Sequence, residues 1–110
     1  MTIEGCIRLV EAMFPGAMDE ALSLHFLGEI EGKVKVELHG EDPAVSVQFD
    51  GTTDKGTVLS VPPPYDQIYW LYLVAMASFV SGDASRYENA AALFNIAYQN
   101  YGKLLMRRGA

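Results

Sequence analysis

Residues 61–72, VPPPYDQIYWLY, decide how the rest of the chain folds. Each proline fixes its own φ and disfavours helical geometry at the residue before it, so the three prolines form a stiff spacer. Pro64 stands at or just before a helix start, where its missing N–H costs no hydrogen bond. The residues that follow are aromatic or aliphatic at almost every position, which predicts a helix buried on several sides.

Apolar residues that recur every three or four positions predict four helices. In the first of them Ile3, Cys6 and Val10 share one side, and Thr2 can cap its start. In the fourth, Ser85 and Glu88 fit a capping box. The predicted helices cover about residues 2–14, 19–38, 65–81 and 85–106.

The end of the second helix is ambiguous, because residues 33–38, KVKVEL, alternate like a strand. Opposite charges four positions apart face each other only on a helix. Glu29 with Lys33, Glu31 with Lys35, and Lys33 with Glu37 have this spacing. The second helix is therefore predicted to continue to about residue 38.

Residues 45–61 change to a period of two. VSVQF and TVLSV alternate and are rich in β-branched residues, and a turn-rich DGTTDKG separates them. This pattern predicts a β-hairpin between the second and third helices. The predicted fold is thus a single mainly α domain, residues 1–110, in which a bundle of about four helices carries an inserted hairpin.

Length and composition fit one soluble folded domain of 110 residues and 12.1 kDa. The net charge of −6 repels phosphate backbones, so we expect no sequence-specific binding of nucleic acid. The longest apolar run, residues 68–80, is too short to cross a bilayer, and the N-terminus has no basic leader, so we expect no membrane partner.

The sequence offers little for catalysis or cofactor binding. A lone Cys6 among apolar residues indicates a buried thiol rather than a reactive one. His25 and Glu29 lie one helical turn apart, but two ligands do not make a metal site. No phosphate-binding glycine loop occurs, and no Ser, Thr or Cys has an identifiable base. We therefore expect no enzyme, no metal and no cofactor.

Aromatic residues are numerous: six Tyr, five Phe and one Trp. Four short helices would have difficulty covering them all, and Tyr and Trp are enriched at protein interfaces. This favours self-association over the alternative, a monomer whose tyrosines pack internally with wet hydroxyls. The residues predicted to form the interface are Tyr65, Tyr69, Trp70, Tyr72, Tyr98 and Tyr101.

The C-terminus is the one basic part of the chain, with Lys103, Arg107 and Arg108. Cations at a helix C-terminus stabilise it through the macrodipole, which is the simpler explanation for these three residues. The alternative is that they bind a partner or face DNA.

Most of the chain resembles a known class of proteins. Residues 61–108, from VPPPYDQIYWLYLVAMA through GDASRYENA to LFNIAYQNY and the terminal MRR, resemble the C-terminal half of small structural proteins of tailed bacteriophages and prophages. Those proteins are described as head–tail connector or adaptor-like. Residues 6–34 look like their two leading helices, whereas the predicted hairpin matches nothing in them.

The resemblance implies a virion structural protein that joins head to tail through protein–protein contacts. It also implies a homo-oligomer, possibly a ring, which contacts portal or tail proteins in the virion and is assembled in the bacterial cytoplasm. One alternative is a small acidic helical regulator that binds a basic host or phage protein. Another is a ligand-binding bundle or enzyme built on the aromatic core.

Overall fold

The computed structural model describes residues 1–44 and 47–109, and this part of the chain is mainly helical, as the sequence predicts. It contains four α-helices, and a five-residue π-helical segment directly continues the second of them. The elements are α1 (Ile3–Met13), α2 (Glu20–Lys33), the π segment (Val34–Leu38), α3 (Gln67–Ser81) and α4 (Ala84–Arg107).

The predicted cap of α1 at Thr2 is confirmed, and Asp19, the first residue of the second predicted helix, caps α2. The Thr2 hydroxyl accepts the Gly5 N–H at 2.9 Å, and the Asp19 carboxylate accepts the Leu22 N–H at 2.8 Å. Each cap satisfies a backbone donor that the first helical turn leaves without a partner.

The turn between α3 and α4 differs from the predicted capping box at Ser85 and Glu88. Gly82 ends α3 with a φ of 78°, and the side chain of the next residue, Asp83, accepts the Arg86 N–H at 3.1 Å. Because Asp83 supplies the capping oxygen, α4 begins two residues earlier than a Ser85 cap would allow.

The core is centred on α3, which packs against α1, α2 and, most extensively, α4. Both α1 and α2 supply aliphatic side chains to one side of it, and α4 covers another. The largest fully buried side chains are Ile3, Leu24, Leu27, Ile30, Val34, Val61, Ile68, Tyr69 and Leu73.

The predicted β-hairpin is wrong: the described residues contain no strand. Residues 57–59 instead lie against the N-terminus, where the Ile3 N–H donates to the Thr57 carbonyl at 3.1 Å and the Leu59 N–H donates to the Met1 carbonyl at 2.9 Å. These contacts form one isolated antiparallel bridge. The alternation in TVLSV therefore serves to bury Leu59 and Val61 while Val58 stays 69% exposed.

The other half of the predicted hairpin lies on α2. Val45 and Ser46 fall outside the described residues, but the chain at residues 47–49 passes close to Gly28. A Cβ on Gly28 would lie 3.1 Å from the Phe49 backbone nitrogen, closer than ordinary contact. Gly28 thus allows this segment to pack on the helix, which holds it away from residues 57–61.

The environment of Glu31 in α2 differs from the prediction, in which this residue forms a surface ion pair with Lys35. It is only 3% exposed, and its carboxylate accepts three hydrogen bonds. Ser60 donates both its N–H and its hydroxyl to Oε2 at 2.9 Å, and the Tyr69 hydroxyl donates to Oε1 at 2.6 Å. The Tyr69 oxygen in turn accepts the Val61 N–H at 3.0 Å. This network ties the segment before the prolines to both α2 and α3.

Glu31→Ala is expected to destabilise the protein by about 3 kcal/mol, because it leaves the buried hydroxyl of Tyr69 and the part-buried donors of Ser60 without an acceptor. The matched control is Glu37→Ala, since Glu37 also accepts a tyrosine hydroxyl but is half-exposed. That change should cost less than about 1 kcal/mol. Urea unfolding followed by circular dichroism measures both, and equal losses in the two variants would contradict the role given to Glu31.

Candidate protein-binding surface

The six residues of the predicted interface are not equally accessible. Tyr69 and Tyr101 are buried, at 0% and 3% exposure, so they belong to the core of the single chain. Tyr65, Trp70, Tyr72 and Tyr98 are half-buried and pack against that core. Among these six, only the last four present any surface to a partner.

The hydroxyls of the tyrosines on α3 are bound by glutamates of α2. Tyr69 donates to Glu31, as described above, and Tyr72 donates to Glu29 one helical turn further along α3. Burial and the neighbouring glutamate both raise the pKa of each of these tyrosines, and burial is the larger cause. Two of the five tyrosines predicted for the interface thereby attach α3 to α2.

The tyrosines of α4 are held in the same way by the end of the second helical region. The Tyr98 hydroxyl donates to Glu37 at 3.0 Å, and the Tyr101 hydroxyl lies 2.7 Å from His39 Nε2. Burial raises the pKa of Tyr98 and of Tyr101, and the hydrogen bond to Glu37 raises that of Tyr98 further.

The aromatic rings also pack on one another. The Phe94 ring centroid lies 5.2 Å from that of Tyr72 and 5.5 Å from that of Tyr98, which joins α3 to α4. All twelve Tyr, Phe and Trp residues lie in the described part of the chain, and only Phe79, at 68%, is exposed. The fold of the single chain therefore covers most of the aromatic surface that the sequence predicts for a partner.

One exposed apolar surface of the bundle lies on α4, beside Trp70. Leu93 and Ile96 are 56% and 57% exposed. With Trp70, Gln67 and Asn100 they line a shallow groove of about 200 Å³ between α3 and α4. We call this surface, defined by Gln67, Trp70, Leu93, Ile96 and Asn100, the neutral face.

The neutral face carries no charge because its helices have none along most of their length. Residues 67–82 and 89–102 contain no Asp, Glu, Lys, Arg or His. The chain as a whole has 14 acidic and 8 basic residues, so these two stretches stand apart from an otherwise charged, acidic surface. Interface cores are likewise depleted of charged residues, which makes the neutral face the best candidate for protein binding.

Sequence reasoning did not single out this surface. Neither Leu93 nor Ile96 is among the residues that the sequence predicts for the interface. The feature of the sequence that could have identified this surface is the charge-free run of residues 89–102. A long helix with a solvent-exposed side normally carries charges on that side.

The basic residues at the C-terminal end of the chain lie on the surface. Lys103, Arg107 and Arg108 are exposed, and none of them forms an ion pair with another described residue. Arg107 lies in the last turn of α4, where its charge is favourable to the helix macrodipole.

Within residues 1–44 and 47–109 no group of three or more His, Cys, Asp or Glu residues could hold a metal ion. His25 Nε2 lies 3.9 Å from a Glu29 oxygen as an isolated surface pair. Burial raises the pKa of the Cys6 thiol to about 12, so it is protonated at neutral pH. In the part of the chain that the structure describes, no helix has the length and apolarity needed to span a bilayer.

Comparison of the chain with protein-family models, with curated proteins and with solved structures finds no match. A functional proposal therefore depends on the surface described here and on the resemblance carried by the sequence motifs.

The raised tyrosine pKa values predict a loss of stability in alkali. Unfolded tyrosines ionise at about pH 10, whereas Tyr72 and Tyr98 in the folded chain hold their protons to higher pH. Their contribution to stability is complete below that pH and falls as the pH rises above it, because only the unfolded state releases these protons. The urea midpoint should therefore decrease from about pH 9 to about pH 11.

The double variant Tyr72→Phe, Tyr98→Phe removes two of these groups, so its midpoint should decrease less steeply over the same range. Below about pH 9 the two proteins should differ by a constant offset, which serves as the internal control. Parallel curves through the alkaline range would show that these hydroxyls do not have raised pKa values.

Proposed function

We propose that this chain is a structural assembly protein that acts through protein–protein contacts at the neutral face. The observation that carries the proposal is an exposed apolar surface, made by Trp70, Leu93 and Ile96, on two helical stretches without a single charge. Exposure of such a surface to water is unfavourable in free energy, and a partner that covers it need not be charged.

The specific form of the proposal is a head–tail connector of a tailed phage or prophage. The sequence resemblance over residues 61–108 supports it, and those residues form α3, α4 and the segment that leads into them. The neutral face thus lies in the part of the chain that carries the resemblance. In this role the chain would contact portal or tail proteins, in the virion and in the host cytoplasm during assembly.

A small acidic regulator that binds a basic protein is less well supported. Three glutamates that would serve such a partner, Glu29, Glu31 and Glu37, accept tyrosine hydroxyls within the chain. Glu31 is also buried. These carboxylates hold the helices together, which leaves fewer of them to attract a basic surface.

The proposal predicts that the tagged chain captures a portal or tail protein encoded in the same genome when the two are co-expressed. Leu93→Glu should abolish the capture, because it places a charge at the centre of the neutral face. The matched control is Val58→Glu, since Val58 is an equally apolar residue, 69% exposed, on a different part of the surface. Capture should survive that change.

Two results would overturn the proposal. One is the recovery of neither portal nor tail proteins by the wild-type chain at high concentration. The other is an equal loss of capture in both variants, since a specific surface predicts a loss in Leu93→Glu only.

A further inference from the structure

The exposed side of α4 has a symmetrical arrangement of residues. Asn89, Leu93, Ile96 and Asn100 recur four, three and four positions apart, so they form one strip along the helix. All four are exposed, and the strip includes the part of the neutral face that α4 supplies. Reading the strip from either end gives the same order: a carboxamide, two aliphatic residues and a carboxamide.

We propose that the neutral face binds a second copy of this chain, with α4 packed antiparallel on α4 around a two-fold axis between Leu93 and Ile96. This inference rests on the proposed function, because it takes the neutral face to be a docking surface. The second copy occupies that face, and portal or tail proteins would then bind the pair that forms there. A two-fold contact uses the same patch on both copies, so that patch must be complementary to itself.

The spacing of the strip provides this complementarity. In an antiparallel pair centred between Leu93 and Ile96, each of these residues lies opposite the other, and Asn89 lies opposite Asn100. A carboxamide has both donors and an acceptor, so Asn89 and Asn100 can hydrogen-bond to each other at both ends of the apolar centre. A strip of carboxylates or of ammonium groups could not pair with itself in this way.

The charges at the two ends of α4 select the antiparallel direction. Asp83, Arg86 and Glu88 lie at its N-terminal end, where Arg86 pairs with Asp83, and Lys103 and Arg107 lie at its C-terminal end, beyond the charge-free run. The three charges at the N-terminal end sum to −1 and the two at the C-terminal end to +2, so an antiparallel pair places ends of opposite net charge side by side. Arg86, which this register places opposite Lys103, has its guanidinium directed toward Ser78 and Phe14 of its own chain. A parallel pair would bring like charges together and would also align the two helix macrodipoles unfavourably.

The size of α4 suits such a contact. Its 24 residues make a helix about 36 Å long. A stable interface buries about 800 Å² on each partner, which a pair of helices of this length can reach with the help of Trp70 and Gln67 of α3. The chain has a net charge of −6, so its charged surfaces repel a second copy, and the neutral face allows close approach.

The first test is the mass of the purified wild-type chain, measured by light scattering and sedimentation over a range of concentrations. We expect a dimer. Ile96→Glu should weaken dimerisation roughly 100-fold, because the symmetry places two buried charges in each dimer. Met106→Glu is the matched control, since Met106 is an apolar residue of the same helix, 80% exposed and outside the strip, and this variant should remain dimeric.

The second test uses cysteines to determine the direction of packing. Asn89→Cys and Asn100→Cys are made as separate variants, mixed and mildly oxidised, and the wild-type chain with its buried Cys6 is the control. The mixture should form a disulfide between the two variants. Each variant alone should not, because equivalent positions lie about 16 Å apart along an antiparallel pair, beyond the reach of a disulfide.

A chain that stays monomeric at every concentration would overturn the inference. So would cross-linking of Asn100→Cys to itself, which indicates parallel helices, or an assembly larger than a dimer that Ile96→Glu leaves intact. A monomer that still captures portal or tail proteins would refute the second copy but keep the proposed function. A dimer that captures neither protein would support the second copy and refute the proposed function.

Discussion

The carboxylate of Glu31 lies inside the protein, and its partners are donors of Ser60 and Tyr69 rather than a cation. A carboxylate in such a place is tolerable only when its oxygens are hydrogen-bonded, so the three donors are obligatory. Two of them come from the segment before the prolines and one from α3. The need to satisfy one buried acid on α2 therefore fixes where that segment runs and how α3 is placed. No buried side-chain polar atom in the described residues lacks a partner.

The other tyrosine contacts extend this arrangement along the second helical region. Glu29 binds the hydroxyl of Tyr72, and Glu37 binds that of Tyr98, so carboxylates along α2 and its π-helical continuation accept hydroxyls from both α3 and α4. The hydroxyls of α3 and α4 that meet these carboxylates turn the aromatic side of each helix inward. The opposite side of α4, with Leu93 and Ile96, is consequently left toward solvent. The neutral face is thus a product of the same packing that buries the tyrosines.

This division of the surface is what supports a role in assembly. Most charged residues lie on α1, α2 and the loops, where they keep the chain soluble and repel molecules of the same sign. The neutral face is apolar at its centre and has carboxamides beside it, a combination that suits repeated contacts between copies of one chain or between components of one particle. The acidic and basic ends of α4 then give such a contact a direction.

The sequence by itself determined the four helices, the cap at Thr2 and the burial of Cys6, because each of these is indicated by residues within one or two turns. Only the tertiary structure decided the role of Glu31, whose spacing from Lys35 is that of a surface ion pair but whose partners lie 29 and 38 positions away. The same holds for residues 57–61, which alternate like a hairpin strand and pair with the N-terminus. It holds also for α4, where apolar residues occur on both sides of the helix. Local periodicity indicates which faces of a helix are apolar. Which of those faces becomes buried depends on packing against elements that are distant in the sequence.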